Sequence, residues 1–349
     1  MKILINTPYL TLPGGVANHY KGLEPYWSHK VYYNQIGKRS EKSGNGIFWL
    51  PIDVFKFVFK LIFINPDFVL LNPSLGKSAI KRDFIFLNIA RFLGKEIAVF
   101  FHGFNIDNIK EFNIKSLKSN INKCKCVFIL AQEFADIVKS WGVTVPIHLT
   151  TTKVDDRLIE GFDINTKNYS TKNILFLARI EKAKGIYTAL DAIKILQKKD
   201  KNIKLRIAGI GGELENAKQY AIDNNIDADF LGNISGEKLI NEFKAANVYI
   251  LPTHGEGMPT SVLEAMAFGL PVISRPVGGL CDFFIDEEMG YLISSLNPED
   301  YAKAIKKYID NPTKTEETAN YNHNFAKEHF LASSVAKSIE EKLFMHIYD

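Results

Sequence analysis

Short apolar runs rich in β-branched and aromatic residues alternate with longer helical patterns along almost the whole chain. A strand that leads into a helix and then into another strand predicts parallel sheets with helices on both faces. In the first half the predicted strands are residues 2–6, 30–33, 68–72, 97–101 and 127–131. In the second half they are residues 173–178, 204–208, 228–231, 248–251, 271–274 and a short piece near Tyr291. A length of 349 residues exceeds what one core usually organises. The fold class expected is therefore α/β, with two Rossmann-like, doubly wound parallel-sheet domains. The expected bounds are 1–158 and 159–328, followed by a terminal helix over 329–349 that crosses back to the first domain. The polar, aperiodic stretch 153–171 is read as the linker. The terminal helix rests on apolar positions at Val335, Ala336, Ile339, Leu343 and Met345.

Apolar residues make up 46% and charged residues 23% of the chain, the profile of an ordinary folded protein. Lys and Arg number 43 against 39 Asp and Glu, and a net charge of +4 is too small to argue for nucleic acid. It suits an anionic small molecule or an anionic membrane surface. The 3 cysteines form no CxxC and leave an odd count, so no disulfide framework or zinc site is expected and a reducing cytoplasm is the expected setting. The opening apolar run reads as a first strand, too short for a signal peptide. Residues 54–64 are strongly apolar but are interrupted by Lys56 and Lys60, far short of a bilayer span. Together with Lys77 to Arg82 they pose a choice. They form either a core helix with snorkelling lysines, the reading preferred, or a helix in peripheral contact with an anionic membrane.

In open parallel sheets, ligands bind beyond the carboxyl ends of the strands. The run after the predicted strand 248–251 is Pro252-Thr-His-Gly-Glu256-Gly257-Met258-Pro259-Thr260-Ser261-Val262-Leu-Glu264-Ala-Met-Ala-Phe-Gly269-Leu-Pro271. Pro259 suits a first helical turn and Gly269 with Pro271 a helix stop. Glu256 then lies in the loop before a short helix and Glu264 about one turn inside it. The free N–H groups between them can hold a diphosphate. One carboxylate can accept from ribose hydroxyls, and the other can bind sugar hydroxyls or stabilise positive charge at an anomeric carbon. Read singly, each is also an ordinary helix-end charge.

This motif resembles the retaining glycosyltransferases of family 4, also called glycosyltransferase group 1, which have the two-domain GT-B fold. The shared pattern is Glu256, seven intervening residues, then Glu264. The resemblance implies domains facing a central cleft and a donor site that takes in Gly257 to Val262 and Glu264, with Glu256 positioning the donor sugar. It extends to Arg179 and Lys184, which would grip the donor phosphates at the end of the strand 173–178. It also places Gly209 near the nucleotide and Ile234 at the base. A tight turn explains Gly209 equally well. In the first half Gly14 and Gly15 either let N–H groups approach a phosphate or make a plain turn. His102, ending an apolar strand in Phe100-Phe-His-Gly-Phe-Asn105, matches the family's active-site histidine, although a lone histidine is also commonly structural. His254 is left as structural.

Asp227-Ala-Asp229 spells a metal-binding DxD string but precedes a short strand, so it is read as a polar turn. No metal and no cofactor are expected. The activity implied is retaining hexosyl transfer from a nucleotide sugar, a UDP-sugar favoured over GDP-mannose. The acceptor implied is a glycan or lipid-linked glycan, in bacterial surface polysaccharide synthesis. The rivals are a GT-B epimerase and a catalytically silent glycan-binding subunit.

Overall fold

The computed structural model describes residues 1–40, 46–73, 77–103 and 114–345. Phe104 and Asn105 of the histidine motif, and residues 346–349 at the end of the last helical pattern, lie outside the described residues.

The chain forms two compact units. The first holds strands β1 Lys2–Pro8, β2 Lys30–Ile36, β3 Phe68–Leu71, β4 Glu96–Phe101, β5 Cys126–Ile129 and β6 Ile147–Leu149. They form one parallel sheet in the order β2-β1-β3-β4-β5-β6. The second holds β7 Asn173–Leu177, β8 Lys204–Ala208, β9 Ala228–Gly232, β10 Val248–Leu251, β11 Val272–Ser274 and β12 Gly290–Leu292. Its parallel order is β12-β11-β10-β7-β8-β9. Both sheets are doubly wound and Rossmann-like. Every residue of β3, β5 and β10 is buried, which is why these strands read as unbroken apolar runs rather than alternating ones. The 3-residue β6 was not foreseen: it is an edge strand, half exposed, whose Ile-His-Leu alternation is too short to stand out as a strand signal.

Helices α1 Gly15–Leu23, α2 Leu50–Phe63, α3 Lys77–Phe92, α4 Ile114–Ile121 and α5 Gln132–Ser140 belong to the first unit. Helices α6 Ile186–Gln197, α7 Leu214–Asp223, α8 Gly236–Ala245, α9 Thr260–Ala267, α10 Pro298–Ile309 and α11 Pro312–His329 belong to the second. The last helix, α12 Ala332–Phe344, belongs to the first.

The units divide at Lys153/Val154 and Leu331/Ala332 rather than at 158/159 and 328/329. The polar stretch 153–171 is therefore not a free linker. Val154 is fully buried and its N–H donates to the carbonyl of Phe330 at 2.7 Å. Further on, the buried Lys167 donates to the carbonyls of Phe243 and Lys244 at 3.1 and 3.0 Å, capping the end of α8. Burial pulls its ammonium pKa down to about 7. Polar composition hid this anchoring because the groups bury on backbone carbonyls, not on an apolar face.

Helix α12 buries Val335, Ala336, Ile339 and Leu343 and leaves Met345 exposed. Its Glu340 is buried, and accepts hydrogen bonds from the backbone N–H groups of Ser28 (3.2 Å) and His29 (3.0 Å) and from the Ser28 hydroxyl (2.5 Å). Lys342 reaches the carbonyl of Leu149 at 2.7 Å. Removing this buried acceptor breaks three hydrogen bonds, two of them from the exposed Ser28, which water can partly replace. Glu340→Ala should therefore cost about 1–3 kcal/mol of stability, read as a lower urea midpoint. A change under about 0.5 kcal/mol would show that this carboxylate does not fasten the helix.

Two further expectations are corrected. Asp229 lies on β9 rather than in a turn, and pairs with Arg206 at 2.6 Å, while Arg206 also pairs with Glu242 at 2.6 Å. Helix α2 is not a core helix throughout. Phe57 and Leu61 are buried, but its other side exposes a row of large apolar side chains.

Candidate functional site

In the second sheet the chain winds outward from β7 in one direction and from β10 in the other, so their carboxyl ends border a topological switch point. The residues after those two strands meet there. Lys184, in a short 3₁₀ turn over Lys182–Lys184, places its ammonium 2.5 Å from Glu256 Oε1. The pair is largely buried, at 14% and 19% side-chain exposure. The Thr253 hydroxyl donates to the same oxygen at 3.3 Å. The His254 N–H donates to the Ala183 carbonyl at 2.8 Å, tying the two loops together through backbone and leaving the His254 side chain exposed.

The loop carrying Glu256 is held from behind. Gly278 has φ +50°, and a Cβ there would lie 2.2 Å from the Gly257 carbonyl oxygen and 2.3 Å from that of Glu256. The next N–H, of Gly279, donates to the Gly257 carbonyl at 2.8 Å. Only a residue without a side chain allows this approach.

Beyond the loop, α9 starts at Thr260, so Pro259 is its N-cap rather than a residue of its first turn. No side chain caps the helix, and Val262 is the first residue whose N–H turns back, to the Pro259 carbonyl at 3.0 Å. The N–H groups of Thr260 and Ser261 thus stay available at the positive end of the helix. Glu264 lies one turn in, half-buried. The buried Tyr249 hydroxyl donates to the Leu177 carbonyl at 2.9 Å and shares a 2.7 Å hydrogen bond with Ser261, joining the end of β7 to the start of α9. Burial raises its pKa, and the charges of Glu264 and Glu256 add to the rise. Met258 and Val262 are buried beneath the helix start.

The remaining residues singled out in this unit are placed differently. Arg179 follows β7 but is mostly exposed and pairs with Glu181 at 3.0 Å. Gly209 follows β8, where a Cβ would lie 1.9 Å from the Ala178 carbonyl oxygen, so the chain's own packing already demands glycine. Ile234 is buried in the turn after β9. The resemblance puts Lys184 across from Glu256 in one donor site, but their direct ion pair, spanning 72 residues, and the Tyr249 bridge were not foreseen. Both follow only from β7 and β10 being neighbours, which the strand order supplies.

In the first unit the winding reverses between β1 and β3. Gly15 opens α1 without a side-chain cap, and a Cβ at Gly14 or Gly15 would meet nothing within 4 Å. His102, just past β4, stacks on Phe100 at a centroid distance of 3.7 Å and contacts Asn72 Oδ1 through Nε2 at 2.9 Å. Asn72 Nδ2 donates to the Asn6 carbonyl at 2.9 Å, and Tyr20 donates to Asn72 Oδ1 at 2.6 Å. The amide orientation is thereby assigned, and with it the Nε2–H tautomer of His102, which leaves Nδ1 as an acceptor. Burial, with a smaller push from His19, holds the His102 pKa well below the ordinary histidine range, so the ring is neutral.

Sequence reasoning missed His19. It is buried, edge-on to His102 at 4.9 Å, with no hydrogen-bond partner for either ring nitrogen among the described residues. Burial, then the charge of Lys153, lowers its pKa to about 3. The unfolded chain takes up a proton near pH 6.5 that the folded His19 refuses. Its burial therefore carries no protonation cost above that pH, and stability is lost as pH falls from about 6.5 toward 3. His19→Phe should flatten this acid limb by about 1.4 kcal/mol per pH unit, measured by urea unfolding across that range. An unchanged slope would refute the assignment.

Residues 160–327 match the family model described as glycosyl transferases group 1. An uncharacterized glycosyltransferase of Methanocaldococcus jannaschii is 32% identical over 187 residues, 52% of this chain and 46% of that protein. A D-inositol 3-phosphate glycosyltransferase of Paenarthrobacter aurescens is 31% identical over 145 residues, 40% of this chain and 35% of that protein. These matches span less than half the length of either relative. Over the whole chain the fold is that of HepE from Anabaena, solved in complex with UDP and glucose. The TM-score is 0.74 at 15% identity, covering 99% of this chain and 100% of that one. The architecture is therefore GT-B.

Proposed function

We propose that this chain, whose residues 160–327 match the glycosyl transferases group 1 model, moves a hexosyl unit from a UDP-sugar to a glycan or lipid-linked glycan hydroxyl, with retention at the anomeric carbon. The setting is cytoplasmic polysaccharide synthesis. The observation that carries the reading is the Lys184–Glu256 pair beside the uncapped start of α9, at the switch point of the second sheet.

The chemistry follows from the residues. The N–H groups of Thr260 and Ser261 receive the donor diphosphate, and the Lys184 ammonium is within reach of it. As the glycosidic bond breaks, negative charge grows on the leaving phosphate, and these preorganised donors stabilise it more than they stabilise the ground state. The Glu256 carboxylate accepts from sugar hydroxyls, and its charge steadies the positive charge developing at the anomeric carbon. Glu264 serves the ribose. The acceptor hydroxyl attacks from the face the phosphate leaves, and the departing oxygen takes its proton. Retention follows from the shared face.

Cations and N–H groups supply the neutralisation that a divalent metal provides elsewhere, so transfer should be unchanged by EDTA. Activity abolished by EDTA and restored by magnesium would overturn that statement. The reading as a whole is tested by thermal unfolding with UDP-, GDP- and ADP-sugars, then by NMR of the product. A midpoint raised most by the UDP-sugar, and an α-configured product from an α-configured donor, are expected. An altered free donor formed without acceptor would identify an epimerase instead.

A further inference from the structure

Helix α2 begins beside Trp49 and exposes Ile52 (45%), Phe55 (72%), Phe59 (52%) and Phe63 (70%). Their spacing of three and four residues puts them in one stripe along the helix. Phe59 and Phe63 lie ring to ring at 4.2 Å on the outside of the molecule. The opposite side buries Phe57 and Leu61, so the helix already has its core contact and the stripe is surplus to folding. Phe92, at the end of the neighbouring α3, is 89% exposed. Isolated exposed apolar residues need no explanation, but a continuous aromatic stripe does.

Charge identifies what covers it. Residues 46–95 hold five lysines and two arginines against three aspartates and no glutamate, a net charge equal to that of the whole chain. On α2 and α3 the only carboxylates are Asp53 and Asp83. Both are buried and paired, Asp53 with Arg39 and Asp83 with Arg82. The exposed surface of these helices is therefore apolar and cationic, with Lys56, Lys81 and Arg91 in water. Lys60 is turned away to the Tyr33 carbonyl at 2.6 Å. A second copy of the chain is a poor occupant, since a two-fold interface would set this cationic face against itself.

We propose that the α2–α3 face docks on an anionic phospholipid surface, with the aromatic stripe entering the headgroup boundary and the lysines and arginine meeting lipid phosphates. No helix among the described residues is long and apolar enough to cross a membrane, so the attachment is peripheral and reversible. The proposal stands apart from the transfer reading, because its readout is binding.

The test is sedimentation of the full chain with phosphatidylcholine vesicles, with and without phosphatidylglycerol. Sedimentation is expected only with phosphatidylglycerol, and should weaken as salt rises. Phe55→Ser/Phe59→Ser/Phe63→Ser and Lys56→Glu/Lys81→Glu/Arg91→Glu should each lower partition by about tenfold or more. Their thermal midpoint and UDP-sugar response should stay as in the parent. Absence of sedimentation with phosphatidylglycerol, or unchanged partition in both variants, overturns the proposal. So does a dimer in ultracentrifugation that the aromatic variant dissociates, because a second copy would then cover the face.

Discussion

Glu256→Gln should lower the transfer rate at saturating donor by about 10²–10³-fold while leaving the fold intact. The substitution keeps the shape of the side chain and removes the charge that steadies the reacting sugar. It also replaces the carboxylate counter-charge 2.5 Å from the Lys184 ammonium with a neutral amide oxygen. Lys184→Ala should cost a comparable factor by removing the counter-charge to the leaving diphosphate. Because the two groups contact each other, the double variant should lose much less than the product of the single losses. Initial rates with circular dichroism of each variant measure this cycle. Full activity in both single variants would sink the site assignment, and strictly multiplicative losses would mean that the pair does not act as one unit.

Gly278→Ala should be nearly as damaging although Gly278 itself has no assigned contact with substrate. The added methyl would lie 2.2 and 2.3 Å from the carbonyl oxygens of Gly257 and Glu256, at a backbone φ of +50° that favours glycine. The loop must shift, and a displacement near 1 Å at a reacting group costs about 10²-fold in rate. A stability loss of about 1–3 kcal/mol should accompany it, from strain and overpacking. Gly15→Ala is the contrast, since a Cβ there meets nothing within 4 Å. Its melting temperature should hold, so any loss of transfer would speak for ligand approach rather than for a turn. Unchanged rates in Gly278→Ala would show that the loop tolerates displacement.

The contrast between those two glycines also explains what the sequence could carry. Strands such as β3, β5 and β10 are buried on both faces, so an unbroken apolar run sufficed to locate them. The edge strand β6, half exposed, left no such trace. The segment around Glu256 was legible because its strand, loop and helix are contiguous. The direct ion pair of Glu256 with Lys184 was not, since it depends on β7 lying beside β10 and residue spacing alone does not give that order. Helix α2 shows a different failure. Its sequence is apolar nearly all round, and periodicity cannot say which half of such a helix meets water. Buried polar groups were the hardest to read. Lys167, Glu340 and His19 are polar letters in unpatterned or weakly patterned contexts, and only packing shows that they are enclosed.

The return of α12 to the first unit sets an order of assembly. Residues 154–331 form an uninterrupted unit, whereas the first unit combines residues before 154 with residues after 331. During synthesis the second unit leaves the ribosome as one continuous segment and can close without residues from outside it. The first must wait, since the acceptor for Ser28 and His29 lies 312 and 311 residues downstream, on Glu340. Until that helix arrives, its docking surface along α1 stays open to water. The unit begun earliest is thus completed last, and its unfinished state is the one most exposed to chaperones and to aggregation.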